Sequence, residues 1–130
     1  MISIVQKKLI DDFGQLFSWE EKYEHLIFLG KKLQTLEEKE KIAKNLVPAC
    51  SSRSWLVVNE IEGKFYFKAE SDSMIVQGLL YILIEIYSGL KRSEILEIEP
   101  VFITKIGFDN FLSVNRRRGL YGVLEKIKNV

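Results

Sequence analysis

Apolar residues recur along this chain in two rhythms, and the change between them divides it. From Val5 onward, Leu9, Ile10, Phe13 and Phe17 fall three to four residues apart, the spacing that lines one face of a helix. A second helical run, "WEEKYEHLIFLGKKL", opens after Ser18, and Glu21 follows three places on. That pair predicts an N-cap with a capping box. Trp19, Tyr23, Leu26, Ile27 and Leu33 mark the buried side of this helix. The charge run "EEKEK" at 37–41 predicts a solvated turn or short helix.

Beyond Cys50 the period shortens to two. "WLVVNEIE" and "KFYFKAE" are rich in β-branched and aromatic residues, and Gly63 between them predicts a hairpin turn. Phe65, Phe67 and Ala69 share one face of the second strand, Tyr66 and Lys68 the other. Two strands alone are marginal, so a third is expected, from the segment leading into Cys50. The run "MIVQGLLYILIEIY" is apolar almost all the way round and predicts a helix enclosed by its neighbours. Ser71 or Asp72 is the expected cap and Gly89 the expected stop. Short helical pieces follow around "SEILEIE" and "VFITKI", divided by Pro100, and Ser113 caps a last amphipathic helix, "VNRRRGLYGVLEKIKNV". The sum is an α+β fold, a small antiparallel sheet of about three strands packed against several helices. With no repeat, low-complexity tract or Pro/Gly-rich linker, one domain over 1–130 is expected.

Composition narrows the function. At 47% hydrophobic residues the chain can bury a core. A net charge of +1 lacks the basic excess of nucleic-acid binders. The most apolar run is broken by Gln77 and Glu85 and falls short of the ~20 residues that span a bilayer, so no membrane partner is expected. The first residues include acids, unlike a leader peptide, and a cytoplasmic location is expected.

The chemistry available is sparse. One Cys and one His exclude an internal disulfide, a zinc finger and any metal site built from several such ligands. No phosphate-cradling loop or hydrolase motif is present. A nucleophile pair of Cys50 with His25 is a very weak motif, because His25 follows Glu24 on an amphipathic helix and is expected to face solvent. Cys50 stands apart. It lies in "NLVPACSSRSWLV", where Pro48, Ala49, Ser51, Ser52 and Arg53 describe a loop, and loops run over the surface. A lone thiol cannot run a dithiol–disulfide cycle, and without a base it makes a poor hydrolase. It can still take sulfur from another protein, since thiolate attack on sulfur needs no added acid or base. An ordinary cysteine, pKa ~8.5, is only a few per cent thiolate at neutral pH, so a nearby cation helps; Arg116 is the candidate. In the first turn of its helix Arg116 opposes the dipole, which favours a thiol-facing or partner-facing role.

Four blocks, "WEEKYEHLIFLGKKL", "NLVPACSSRSWLV", "ESDSMIVQGLLYILIEIYSG" and "FLSVNRRRGLYGVLEKIKN", follow one another in the order and spacing of the SufE family. Across essentially its whole length the chain resembles these sulfur acceptors of iron–sulfur cluster assembly. The family's cysteine block reads N-x-V-x-G-C-x-S-x-x-W, and Asn45, Val47, Cys50, Ser52 and Trp55 stand at its positions. The resemblance implies the α+β fold shared with the scaffold IscU, and Cys50 as acceptor of a desulfurase persulfide. It further implies stimulation of that desulfurase and delivery of sulfur to an iron–sulfur scaffold. The desulfurase the resemblance implies is of the SufS/CsdA type; the pyridoxal phosphate would belong to it, and no cofactor is implied for this chain. Asp72 matches the acidic residue of the family's S-D block, and Arg116 matches an arginine implicated in desulfurase contact. Two positions depart from the pattern: the usual glycine before the cysteine is Ala49, and the glutamine often found after it is Ser51. If position 49 must be left-handed, alanine there costs roughly 1–2 kcal/mol. The rival reading is a non-catalytic regulatory partner of a desulfurase that carries no sulfur itself.

Overall fold

The helical rhythm at the start of the chain becomes α1 (Ile4–Gly14) and α2 (Trp19–Gly30) in a computed structural model that describes residues 3–130. Helix α1 ends at Gly14, so Phe17 lies beyond it and is 96% exposed, not part of the buried face its spacing suggests. The capping box of α2 forms as expected: the Ser18 hydroxyl accepts from the Glu21 amide at 3.1 Å, and the Glu21 carboxylate accepts from the Ser18 amide.

Strands β1 (Ser54–Ile61) and β2 (Lys64–Ser71) form the hairpin. Its two linking residues, Glu62 and Gly63, both have positive φ (52° and 81°), the backbone a tight turn of matching twist requires. The third strand is not the segment before Cys50. It is β3 (Leu90–Lys91), paired antiparallel to β2, so the sheet order is β1-β2-β3. The reason lies at Gly89: with φ 84° it turns the chain back beside β2, and its amide donates to the Phe65 carbonyl at 2.7 Å. The segment before Cys50 makes only one bridge, Leu46 to Trp55, on the outer edge of β1.

Helix α3 (Met74–Tyr87) is the axis on which the other elements pack, and nine of its residues, from Ile75 to Tyr87, are buried. Its cap is Ser73, whose hydroxyl accepts from the Val76 amide, rather than Ser71 or Asp72. Ser71 still belongs to the sheet, opposite Ser54, and the Asp72 amide donates to the Arg53 carbonyl. Ser73 is thus the first residue free to turn into the helix. After β3 come α4 (Arg92–Glu97), α5 (Phe102–Ile106), α6 (Phe108–Phe111) and the long α7 (Val114–Lys128), capped by Ser113 as expected. The irregular stretch around Pro100 is pinned by buried polar groups. The Gln6 side chain donates to the Glu99 carbonyl (2.8 Å) and accepts from the Phe102 amide (3.1 Å), while the Tyr87 hydroxyl and the Lys128 ammonium both reach the Ile98 carbonyl. No helix of the described residues is long and apolar enough to cross a membrane.

Helices α2 and α3 cross in backbone contact. A Cβ on Gly78 would lie 2.2 Å from the Leu26 carbonyl oxygen, and one on Gly30 would lie 2.8 Å from the Gly78 nitrogen. Gly78→Ala must therefore push two core helices apart and is expected to lower the free energy of unfolding by about 3 kcal/mol. Gly14→Ala, with nothing within 4 Å, is the matched control and is expected to leave stability unchanged or slightly raised. Chemical denaturation of the two variants checks this; equal stability would show that the crossing can relax.

Candidate functional site

The chain approaches Cys50 along the free edge of β1. The Val47 amide donates to the Ser54 carbonyl at 2.9 Å and Val47 itself is buried. Pro48 has no N–H to continue the pairing, the chain turns, and the Cys50 amide bonds back to the Val47 carbonyl at 3.2 Å. The foot of this loop is fixed by charge. The 37–41 run forms the expected short helix at Glu38–Glu40, and Lys41 pairs with Glu70 (2.7 Å) and Glu40 with Lys68 (2.6 Å), tying it to β2 rather than leaving it wholly solvated. The Asn45 side chain donates through Nδ2 to the Glu40 carbonyl at 2.8 Å. Asn45 is a buttress at that foot and does not line the thiol's pocket.

Cys50 forms one wall of a hollow of about 350 Å³ with Ser51 and Ser52 from its own loop, Ser73 and Val76 from the start of α3, and Ser113, Asn115, Arg116 and Gly119 from α7. The thiol is half-buried, not freely exposed as a surface loop suggests. Burial pushes its pKa up, and the polar Ser54 hydroxyl nearby partly opposes the shift. Ser54 is fully buried and donates to the Ser71 hydroxyl at 2.8 Å; the Ser52 hydroxyl lies 3.4 Å from the same oxygen. Three hydroxyls thus connect the loop, the hairpin and the approach to α3. Arg116 faces the same hollow as the thiol, but the surroundings of the sulfur as a whole favour its neutral form.

The other expected residues divide. Ser51, Ser52 and Arg116 meet Cys50 in the hollow; Asp72 is exposed and does not line it. Ala49 points away from the hollow onto Gly122 of α7. Glu62 is the one non-glycine residue with positive φ among those described, so Ala49 has ordinary backbone and carries no left-handed strain. Arg53 stacks over the ring of Trp55, 5.1 Å from its centre, with Lys41 also near that ring. His25 is half-buried, edge-on to Phe13 at 4.9 Å, rather than solvent-facing. Burial lowers its pKa, and it borders a separate hollow between α1, α2 and α3, so Cys50 and His25 form no pair.

Ser54, Ser73, Asn115, Gly119 and Gly122 escaped the reading of the sequence as site residues. A signal existed for the glycines: two of them three apart inside "RRRGLYGVLEK" weaken a helix and imply a contact reason. The serines carried none, since small hydroxyl residues at strand ends and helix caps are ordinary. Among the described residues no group of three or more His, Cys, Asp or Glu is placed to hold a metal ion.

Residues 7–130 match the family described as SufE, Fe-S metabolism associated domain. An uncharacterized SufE-like protein of Rhizobium meliloti is 38% identical over 127 residues, covering 94% of this chain and 91% of its own. The cysteine desulfuration protein SufE of Wigglesworthia glossinidia brevipalpis is 38% identical over 122 residues, covering 92% of this chain and 84% of its own. The solution structure of a hypothetical protein from Thermus thermophilus superposes with a TM-score of 0.78 at 20% identity, covering 99% of this chain and 94% of that one. It shares the fold.

The electrostatics of the hollow set a pH dependence. Alkylation of Cys50 reads the thiolate, so its rate is expected to rise with a midpoint above the value of an ordinary cysteine, because burial raises the folded pKa. Ser54→Ala removes that opposing hydroxyl and is expected to move the midpoint further up. A midpoint at or below that of a free cysteine, or a downward move in Ser54→Ala, would contradict this account.

Proposed function

Because the chain belongs to the SufE family, we propose that it serves iron–sulfur metabolism as a sulfur acceptor. In this reading Cys50 takes persulfide sulfur from a cysteine desulfurase, and the chain stimulates that enzyme and relays the sulfur to an iron–sulfur scaffold. The observation that carries the reading is the chain's single thiol set in the wall of a polar hollow with Arg116, Ser51, Ser52, Ser73 and Asn115.

The chemistry is a transfer between sulfurs. The Cys50 thiolate attacks the outer sulfur of the donor's persulfide; one S–S bond forms as another breaks, and the donor cysteine leaves as its thiolate. No oxidant, reductant or acid is consumed. The desulfurase, of SufS/CsdA type, supplies the pyridoxal phosphate that released the sulfur from free cysteine, and this chain contributes no cofactor. The half-buried thiol must leave its cover to attack, and the Cys50 loop, tied to the sheet by one bridge, the Val47–Ser54 bond and a long Ser52–Ser71 contact, is the segment able to do so. Once loaded, the loop returns, and the hollow has room for the added sulfur with Arg116 in its wall, a residue whose charge suits a persulfide anion. Asp72, exposed just before α3, meets the partner rather than the sulfur. The reaction belongs in a reducing compartment, with the cytoplasm as the proposed location.

Incubation with cysteine and a candidate desulfurase, without reductant, followed by intact-mass measurement, tests the proposal. The expected outcome is a reductant-sensitive gain of one or more sulfur masses, absent from Cys50→Ser. Arg116→Ala is expected to load roughly tenfold more slowly, the equivalent of losing one charge-assisted hydrogen bond of about 1.5 kcal/mol. A desulfurase stimulated equally by Cys50→Ser, with no mass gain in wild type, would replace the carrier with a regulatory partner.

A further inference from the structure

One face of α7 receives the Cys50 loop in reverse order. The Lys126 ammonium donates to the Leu46 carbonyl at 3.0 Å, Gly122 lies under Ala49, Gly119 lies under Cys50, and Arg116 stands at the hollow beyond. Positions 116, 119, 122 and 126 are spaced three, three and four, so they share one side of the helix. The loop thus runs along α7 from its C-terminal part toward its N-terminus.

Neither glycine is there for its backbone, since both lie inside a regular helix without positive φ, where glycine is unfavourable. Contact explains them. A Cβ at 122 would lie 2.5 Å from the Ala49 Cβ and 3.6 Å from a Val47 methyl; one at 119 would lie 3.0 Å from the Cys50 sulfur. The helix cannot retreat, because Leu120, Val123, Leu124 and Ile127 are buried on it. Any added atom must therefore displace the loop.

We propose that Gly119 and Gly122 are positioning residues for the thiol: the Ala49 methyl seats in the space left at Gly122, and this fit sets how much of the time Cys50 stays covered. The proposal rests on the reading of Cys50 as the sulfur acceptor. It also explains how alanine is accommodated where the family pattern has glycine. Positions 49 and 122 have room for one methyl between them, so alanine at 49 goes with glycine at 122, and the reverse pairing also fits, whereas alanine at both does not.

The test is the rate at which iodoacetamide, a small neutral reagent, alkylates Cys50 in wild type, Gly122→Ala and the double variant Ala49→Gly/Gly122→Ala. Gly122→Ala is expected to react at least about fivefold faster, because the displaced loop opens more often, and the double variant to return to within about twofold of wild type. Alanine by itself favours a helix, so the single variant is expected to keep its helical circular dichroism. Wild-type reactivity in Gly122→Ala, or a faster rate that the second substitution fails to reverse, would overturn the proposal. Persulfide loading of the same three proteins separates the two readings. The expected alkylation pattern with no sulfur taken up by any of them would keep the seat and remove the carrier. Normal loading of wild type with unchanged alkylation in Gly122→Ala would remove the seat alone.

Discussion

The Leu26 carbonyl occupies the space that a side chain at residue 78 would fill, and this backbone contact fixes the separation of α2 and α3. Everything that builds the thiol's hollow hangs from α3. Its start supplies Ser73 and Val76, its flank carries β2 with the hairpin behind Cys50, and its far side receives α7 with Arg116 and Gly119. An α3 shifted by an ångström would move three walls of the hollow at once. The close crossing is compatible with a core of ordinary aliphatic residues because dense interiors transmit small displacements rather than absorbing them.

Around this apolar axis, the places where regular structure gives out are held by polar groups. Gln6 spans from α1 to both sides of Pro100, Lys128 and Tyr87 close the end of α4, and the pairs Lys41–Glu70 and Glu40–Lys68 fasten the segment before the thiol loop. Each satisfies carbonyls or carboxylates that would otherwise be left in partly buried surroundings. The thiol loop itself receives less: a single bridge, two backbone bonds, the Ser52–Ser71 hydroxyl contact and a lysine contact at its foot. The proposed movement of the loop draws on this contrast between firmly pinned flanks and a lightly held centre.

Periodicity made the helices, the hairpin and most caps legible, because those depend on neighbours within a few residues. Ser18 with Glu21, Gly63 and Ser113 were readable on that ground alone. Features decided by distant partners were not. Phe17 keeps the helical spacing yet falls past the end of α1; Ser71 looks like a cap but is held in the sheet by Ser54; and the third strand is two residues long, too short to leave a pattern. The site shows the same division. Cys50, Ser52 and Arg116 stand in recognisable blocks and meet in space, whereas Asn45 and Asp72 share those blocks but face elsewhere. Ser54 could not be read at all, since its importance lies in being wholly buried beside the sulfur's loop.

The half-buried position of the lone thiol, with its pKa pushed up, bears on how the protein ages. Peroxides attack thiolates, and a cysteine kept largely protonated and partly covered enters the ladder from sulfenic to sulfinic acid slowly. Two copies also cannot readily join through a disulfide while each sulfur rests against its own α7. A protein with one cysteine has no second thiol to rescue it from over-oxidation. The cover that slows oxidation therefore also preserves the single atom on which the proposed sulfur transfer depends.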